Sequence, residues 1–305
     1  MKYVQELSNM FWARPENALW VTKVMQKLDT VKFEGPILDL MCGHGMWSFI
    51  RAGGAFGYSW DSYKVLTDLD NYQKGVDIQN TFSEEYVPEI VRRPEYRISA
   101  GFDIKENNLK KCETLDFYDR LVQGDCNEPL PFEDNEFKTV FSNTVYWVDD
   151  LEHILKELAR IVDADGKVVL INYLPAINGY LDIYQGRASA EWLELVDRNR
   201  AAENKHIYTK DEWYKLFDDA GLEVSEYIPT VNQLYAHIWN IGLRPFAGQI
   251  LSMAQELTPE KYAEIKESWV KTLATLMEPY LEDPLFADIT PGEEAEAIFV
   301  LKTKS

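Results

Sequence analysis

The stretch that decides the fold is ILDLMCGHG, residues 37–45, which runs directly into MWSFI, residues 46–50. Its first part is apolar apart from Asp39, as in a strand that is buried on both faces. Gly43 and Gly45 then permit a sharp turn and bring the backbone close to a ligand, where a Cβ atom would collide. The following helix would offer unpaired N–H groups to a polar ligand. A plain strand–turn–helix connection has the same pattern, so further motifs must decide between the two interpretations.

Outward from this stretch, short apolar runs alternate with amphipathic helical segments, which predicts a parallel α/β sheet. The next four runs predict strands at residues 96–103, 120–125, 137–143 and 167–173. Between the last two, apolar residues at helical spacing predict a helix that begins near Asp150 and ends at Gly166. The remaining chain predicts a helix at 209–220, a strand at 222–228, a helical stretch at 232–282 and a strand at 294–304.

Charge and composition exclude several kinds of partner. The 305 residues include 31 Lys and Arg against 51 Asp and Glu, a formal net charge of −20. Nucleic acids and anionic membranes bind basic surfaces, so neither is expected as a partner. No apolar run approaches the length of a membrane-spanning helix, and the first residues lack the apolar core of a signal peptide. Three cysteines give no disulfide framework, and we expect a cytoplasmic protein.

Acidic residues end three of the predicted strands: Asp39, Asp103 and Asp125. A carboxylate at such a strand end can accept hydrogen bonds from both hydroxyls of a ribose. Each acid alone is more often a helix cap or a solvated residue. Together, along one edge of a sheet, they suit a ligand that has a ribose, an exocyclic amine and an ammonium group.

With these motifs, residues 35–173 resemble the class I S-adenosylmethionine-dependent methyltransferases, in particular the small-molecule, type 11-like branch. The features that match are LDLMCGHG, the GFD of residues 101–103, the LPF of residues 130–132 and the helix–DADG–strand unit. The resemblance implies S-adenosylmethionine as cofactor and S-adenosylhomocysteine as product. It implies that Asp39, Gly43 and Gly45 surround the methionine part of the cofactor and that Asp103 binds its ribose. It also implies that Ile104, Asp125 and the backbone N–H of Cys126 contact the adenine, and that Asn143 lies near the methyl group.

The chain departs from the family pattern in several places. Met41 stands where the family usually has its first glycine, so we expect a less tight turn. His44 replaces a small hydroxyl residue, and residues 163–166 replace a Pro-Gly-Gly turn. A rival ribose acid is Asp77, in the similar sequence GVDI. We favour Asp103 because the next predicted strand follows it at a normal distance.

The fold class expected is α/β: a Rossmann-like, seven-stranded mixed sheet with helices on both faces, plus N-terminal helices and helical insertions. We expect an N-terminal helical cap at residues 1–34 and a cofactor-binding core at residues 35–173. An insertion at 52–95 is interpreted as a lid or helical excursion. Residues 174–305 are expected to complete the sheet and to include a helical lid at 232–293.

The acceptor side is less defined by sequence. No metal site is predicted, because the four histidines share no ligand spacing with the cysteines. His206 and His237 are acid–base candidates because histidine titrates near neutrality, although each has a structural alternative. Tyr146 is a further catalytic candidate that either lines the pocket or belongs to the core. Arg244 either pairs with an anionic substrate group or forms a surface salt bridge.

We therefore expect methyl transfer to a small-molecule acceptor, with oxygen as the first choice of atom and nitrogen or carbon open. The alternative is a protein that binds S-adenosylmethionine or S-adenosylhomocysteine for regulation or for another reaction. An NAD-type oxidoreductase is disfavoured because the turn lacks the Gly-x-Gly-x-x-Gly series. Finally, residues 278–296 hold seven acids and no Lys or Arg, which we interpret as a solvated face.

Overall fold

The computed structural model describes residues 2–63, 81–179, 184–197 and 204–304. Within these ranges the strands, in chain order, are β1 (Ile37–Leu40), β2 (Ala55–Phe56), β3 (Ile90–Arg92), β4 (Ile98–Asp103), β5 (Tyr118–Gln123), β6 (Phe137–Ser142), β7 (Val162–Tyr173), β8 (Leu222–Asn232) and β9 (Glu294–Thr303). The α-helices are α1 (Val4–Met10), α2 (Pro15–Leu28), α3 (Met46–Arg51), α4 (Glu106–Leu115), α5 (Leu151–Ile161), α6 (Ala190–Asp197), α7 (Lys210–Asp219), α8 (Gln233–Ile241), α9 (Ala247–Gln255), α10 (Pro259–Glu282) and α11 (Pro284–Ala287).

In the described part of the chain, seven strands form one mixed sheet in the order β5-β4-β1-β6-β7-β9-β8. Strand β1 is parallel to β4 and β6, and the pairs β4–β5 and β6–β7 are also parallel. Strand β9 lies between β7 and β8 and is antiparallel to both. The predicted fold class, a seven-stranded mixed sheet with added N-terminal helices, is confirmed.

Helices cover both faces of the sheet, which explains why its strands are almost continuously apolar. Successive residues of β7 enter opposite cores, as the period of two in a strand requires. Ile171 packs in the core that contains Met25 of α2, whereas Leu170 packs in the core that contains Leu155 of α5. The parallel strands are thereby held rigidly, with their carboxyl ends at one edge.

Helix α5 is shorter than the sequence predicts. It begins after Asp150, whose side chain accepts a hydrogen bond from the backbone N–H of His153 at 2.9 Å, and it ends at Ile161. Strand β7 begins at once, because Val162 already pairs with Phe137 of β6. The register then shifts, so residues 163–166 lie within an irregular strand start. The expected helix end at the glycine was therefore wrong.

A buried carboxylate joins three segments that lie outside the sheet. Asp61 accepts hydrogen bonds from Trp12 Nε1 at 3.0 Å, from the Tyr262 hydroxyl at 2.7 Å and from the backbone N–H of Tyr63 at 2.8 Å. The described start of the 52–95 segment is thus attached to α10 and to the connection between α1 and α2. Its other described feature is the two-stranded pair β2–β3, whereas Asp77 lies outside the described residues. None of the described helices is both long and apolar enough to cross a membrane.

Candidate active site

The connection between β1 and α3 is a tight turn with three left-handed residues. Met41, Gly43 and Gly45 have φ angles of 59°, 57° and 75°. Glycine adopts this region freely, whereas another residue is destabilised there by about 1–2 kcal/mol. Met41 nevertheless adopts it, so the turn is not loosened by the missing glycine, contrary to the sequence-based expectation.

The carboxylate of Asp103, at the end of β4, fixes this turn from the neighbouring strand. Its Oδ2 accepts a hydrogen bond from the backbone N–H of Gly43 at 2.9 Å. Its Oδ1 accepts from the backbone N–H of Lys105 at 2.8 Å and from Nδ2 of Asn108 at 3.0 Å. Because an ionised carboxylate has about four lone-pair sites, it can accept a further hydrogen bond from a ligand. The predicted glycine turn and the predicted ribose acid are thus brought together.

A cavity of about 610 Å³ opens at this edge of the sheet. Four predicted cofactor residues line it: Gly43, Asp103, Ile104 and Asn143. Ile104 is 55% exposed, which is unusual for so large an apolar side chain beside a cavity and leaves it open to a flat ligand. His44 and Lys111 also line the cavity.

His44 is held in the neutral form. Burial, and secondly the charge of Lys111, lower the pKa of the imidazole to about 4. Its Nδ1 accepts a long hydrogen bond, 3.4 Å, from the backbone N–H of Met46. The residue that replaces the family's small hydroxyl side chain is therefore an uncharged wall of the cavity near neutral pH.

The other predicted cofactor residues lie behind or beside the cavity. Asp39 is 3% exposed, lies beneath the turn and accepts a hydrogen bond from the Tyr118 hydroxyl at 2.7 Å. Burial raises its pKa to about 6, although hydrogen bonds from Ser48 and Tyr118 oppose the shift. Gly45 is the residue before α3 and faces Tyr118 and Cys112. Within the described residues, neither Asp39 nor Gly45 lines the cavity.

Asp125 and Cys126 follow strand β5, which ends at Gln123. Both the backbone N–H and the side-chain Nδ2 of Asn127 donate to Asp125 Oδ1, at 2.9 and 2.8 Å. Cys126 is buried, and burial raises the pKa of its thiol to about 12. In the described residues neither one lines the cavity, so their contact with an adenine stays a prediction.

A second cavity, of about 370 Å³, adjoins the first. Among the residues that line both are Phe11, Arg14, Trp47, Asn143 and Trp147. The walls of the second cavity beyond this junction are largely aromatic, with Trp20, Tyr146, Tyr173 and Trp239. Two spaces of ligand size therefore meet at Asn143, the residue expected beside the reacting methyl group.

The three predicted catalytic residues differ in position. Tyr146 lines the second cavity, and its ring lies 4.3 Å from that of Tyr173. His206 binds the backbone oxygen of Val148 through Nε2 at 2.8 Å, so that nitrogen carries the proton. His237 is partly buried, which lowers its pKa. Neither histidine lines the described walls of either cavity, and their catalytic roles stay predictions.

Glu296 is the residue that the sequence analysis misplaced. It is 5% exposed, lines the second cavity and does not belong to a solvated acidic face. Burial raises its pKa to about 7, despite hydrogen bonds from Thr230 and Trp20. A signal was present in the sequence: in strand β9, Glu296 shares a face with Ile298 and Val300, which are buried.

Two arginines line the second cavity, and the sequence indicated only one of them. Arg244 lines it, and its pairing with an anionic substrate group stays a prediction. Arg14 was not predicted. Its Nε donates to Glu16 at 3.2 Å, whereas its buried Nη2 has no hydrogen-bond partner among the described residues. Arg14 precedes a proline at the start of α2, and no sequence pattern distinguishes it from an ordinary helix-start residue.

Part of the chain is similar to known proteins. Residues 85–170 match the family described as "Methyltransferase domain", type 11. Over 108 residues the chain is 29% identical to the arginine-hydroxylase NDUFAF5, mitochondrial, of Danio rerio, which is 35% of this chain and 32% of that protein. Over 119 residues it is 28% identical to the uncharacterized protein YafE of Escherichia coli K12, which is 38% of this chain and 53% of that protein. The match thus covers about a third of the length of the Danio rerio protein and about half of the length of YafE.

Among solved structures, the chain is similar to a SAM-dependent methyltransferase of Thermotoga maritima, described as a possible histamine N-methyltransferase. The TM-score is 0.52 at 13% identity, and the similarity covers 99% of this chain and 96% of that one. At so low an identity the similarity establishes the fold alone. The matched family and this solved structure are both described as methyltransferases.

Proposed function

We propose that this chain transfers a methyl group from S-adenosylmethionine to a small-molecule acceptor, most simply to an oxygen. Its matched domain and its fold, which are those of the class I S-adenosylmethionine-dependent methyltransferases, support this proposal. The observation that carries this proposal is the junction of two cavities at Asn143. The second cavity, at about 370 Å³ and with largely aromatic walls, has the size of a small-molecule site.

The residues of the first cavity fit the cofactor. A Cβ atom at Gly43 would meet no atom within 4 Å, so the backbone there borders open space. Asp103 would accept hydrogen bonds from the ribose, and Ile104 would cover the adenine. Asn108 Oδ1, beside Asp103, is buried without a hydrogen-bond partner among the described residues and can accept one from the ligand. When bound, S-adenosylmethionine supplies an electrophilic methyl group on a sulfonium.

The contribution of the chain is alignment and the exclusion of water. Trp47, whose ring stacks on Phe141 at 5.3 Å, stands at the junction of the cavities together with Phe11. Such walls hold two reactants at near-attack distance in a dry site, and this is what in-line displacement from an activated methyl group requires.

The test is incubation of the full chain with methyl-labelled S-adenosylmethionine and a filtered extract of small metabolites. We expect label in a small-molecule fraction, together with S-adenosylhomocysteine. The variant Asp103→Ala is the control for cofactor dependence, because it removes the carboxylate that would bind the ribose. No transfer to the small-molecule fraction, or label that enters only protein or RNA when an unfiltered extract is used in parallel, would refute the proposal.

A second function is favoured by the name of one relative. The Danio rerio protein is described as an arginine hydroxylase, so its chemistry is not named as methyl transfer. In this second proposal the chain would use the cavities for another reaction or only to bind the cofactor. Mass spectrometry of the acceptor separates these cases, because a methyl transfer adds CH₂ and a hydroxylation adds one oxygen atom. A protein that only binds the cofactor leaves the mass of the acceptor unchanged, but calorimetry detects its binding of S-adenosylhomocysteine.

A further inference from the structure

Glu296 occupies a rigid position at the wall of the second cavity. It lies in β9, where it pairs with Tyr173 of β7 on one side and with Val231 of β8 on the other. A residue between two paired strands has little freedom to move away from the cavity it lines. Its side chain is therefore presented to any molecule that fills this space.

The contacts of this carboxyl group leave it able to bind more. Oε1 accepts a hydrogen bond from the Thr230 hydroxyl at 2.8 Å, and Oε2 accepts one from Trp20 Nε1 at 3.2 Å. Both donors are neutral, and they alone oppose the effect of burial on the pKa of Glu296. A carboxylate has about four lone-pair sites, so roughly two remain. A buried carboxylate without a cation is unstable and binds a proton readily.

The other groups around the cavity are less suited to take a proton. The charged and titratable residues that share its walls are Tyr146, Tyr173, Arg14 and Arg244. Burial and the neighbouring Tyr173 hold the pKa of Tyr146 well above its usual value of 10.0, so its hydroxyl keeps its proton. An arginine stays protonated in proteins and cannot act as a base.

We propose that Glu296 is a catalytic residue that accepts the proton of an acceptor hydroxyl bound in the second cavity. The proposal rests on the proposed function. In the step, the O–H bond of the acceptor breaks and its proton passes to the Glu296 carboxylate. The oxygen forms a bond to the donor methyl carbon, the C–S bond breaks, and its electron pair stays on sulfur as a neutral thioether. The proton returns to water when the product leaves.

The electrostatics agree with this role. A pKa of about 7 leaves a large fraction of the carboxylate ionised near neutral pH, and the conjugate acid is still weak enough to hold a proton. A general base whose pKa lies near the working pH is the most effective kind.

The first test locates the proton without any reaction. Infrared difference spectra of the full chain, titrated through neutral pH, report the carbonyl band of a protonated carboxylic acid. We expect the wild type to show a band that titrates near pH 7 and is absent from Glu296→Gln, in addition to a band of Asp39 near pH 6 that all the variants share. Glu294→Gln is the matched control: it is the same substitution two positions earlier on the same strand, and it should keep the band. If Glu296→Gln keeps the band near pH 7, the inference is wrong.

The second test measures the reaction. The probe is the metabolite fraction that accepts label in the wild type, assayed for S-adenosylhomocysteine release across the same pH range. Glu296→Gln should lower kcat by about 100-fold or more and remove the rise in rate around pH 7, because general bases contribute roughly 10²–10⁴-fold. Glu294→Gln should follow the wild-type profile. Glu296→Gln should bind S-adenosylhomocysteine with unchanged affinity in calorimetry, which shows that the fold is intact.

The outcomes separate the two proposals. A wild-type chain that transfers no label refutes the proposed function, and the inference falls with it. Transfer that proceeds in Glu296→Gln at the wild-type rate refutes the inference alone. An equal loss of rate at every pH, with weaker binding of S-adenosylhomocysteine, would show a structural role and would also overturn it.

Discussion

Replacing the two glycines of the β1–α3 turn separately by alanine should separate stability from cofactor binding. Both have a positive φ, 57° at Gly43 and 75° at Gly45, so alanine is destabilised at each by about 1–2 kcal/mol. The space around them differs. A Cβ atom at Gly45 would lie 2.9 Å from Tyr118 Cε2, 3.0 Å from Cys112 Sγ and 3.1 Å from Leu115 Cδ1, whereas at Gly43 it would meet nothing within 4 Å.

The magnitudes follow from these contacts. Overpacking against the three buried side chains adds about 1–3 kcal/mol at Gly45. Alanine also restricts the unfolded chain, which returns about 0.4–1 kcal/mol at both positions. We therefore expect Gly45→Ala to lower the free energy of unfolding by about 2–4 kcal/mol and Gly43→Ala by about 1 kcal/mol.

Urea unfolding of the full chain, followed by tryptophan fluorescence, measures this difference, and calorimetry measures the affinity for S-adenosylhomocysteine. Gly43→Ala should weaken binding by about tenfold or more, a loss of about 1.4 kcal/mol, because its methyl group enters the cavity that Gly43 lines. Gly45→Ala, where folded, should bind almost normally. Equal destabilisation of the two variants, or normal binding by Gly43→Ala, would refute the reasoning.

Three further changes test the site and the cap. Asp103→Asn should weaken S-adenosylhomocysteine binding about tenfold or more in calorimetry, since hydrogen bonds to charged groups contribute about 1.5–3 kcal/mol, whereas Asp77→Asn should leave it unchanged. Burial raises the pKa of Asp39 from 3.8 to about 6, so the folded state binds its proton more tightly than the unfolded state. The resulting stabilisation, about 3 kcal/mol, is fully present below about pH 4 and is lost as the pH rises through 6. In urea unfolding measured at several pH values, Asp39→Asn should remove this dependence of the free energy of unfolding on pH. Asp61→Ala should leave the buried donors of Trp12 and Tyr262 unpaired, which lowers the free energy of opening of α10 by about 1–3 kcal/mol for each lost partner. Hydrogen exchange in α10 should therefore become faster, and unchanged exchange would contradict this.

The sheet and the cofactor edge were predictable because their signals are local. Apolar runs mark the strands, and Gly43 and Asp103 stand at the strand ends that the topology brings together. The position of Asp39 was not predictable in the same way. Its contact with the methionine part of the cofactor stays a prediction, because among the described residues Asp39 does not line the cavity and its carboxyl group accepts a hydrogen bond from Tyr118.

The second cavity was harder to predict, because its walls come from distant parts of the chain. Local composition favoured a solvated acidic segment around Glu296, and only the apolar run that follows it, residues 297–301, indicated burial. Net charge was also a poor guide, since a chain of formal charge −20 places Arg14 and Arg244 in one cavity. Charge balance describes the whole surface and says little about a single pocket.

The insertion of β9 between β7 and β8 has a consequence for the order in which the two cavities form. Gly43 and Asp103 are 60 positions apart along the chain, whereas Glu296 and Trp20 are separated by 276. Contacts between distant residues require the closure of longer loops and tend to form late in folding. We therefore expect the contact between the β1–α3 turn and Asp103 to form earlier in folding than the contact between Glu296 and Trp20, so that the second cavity is completed last.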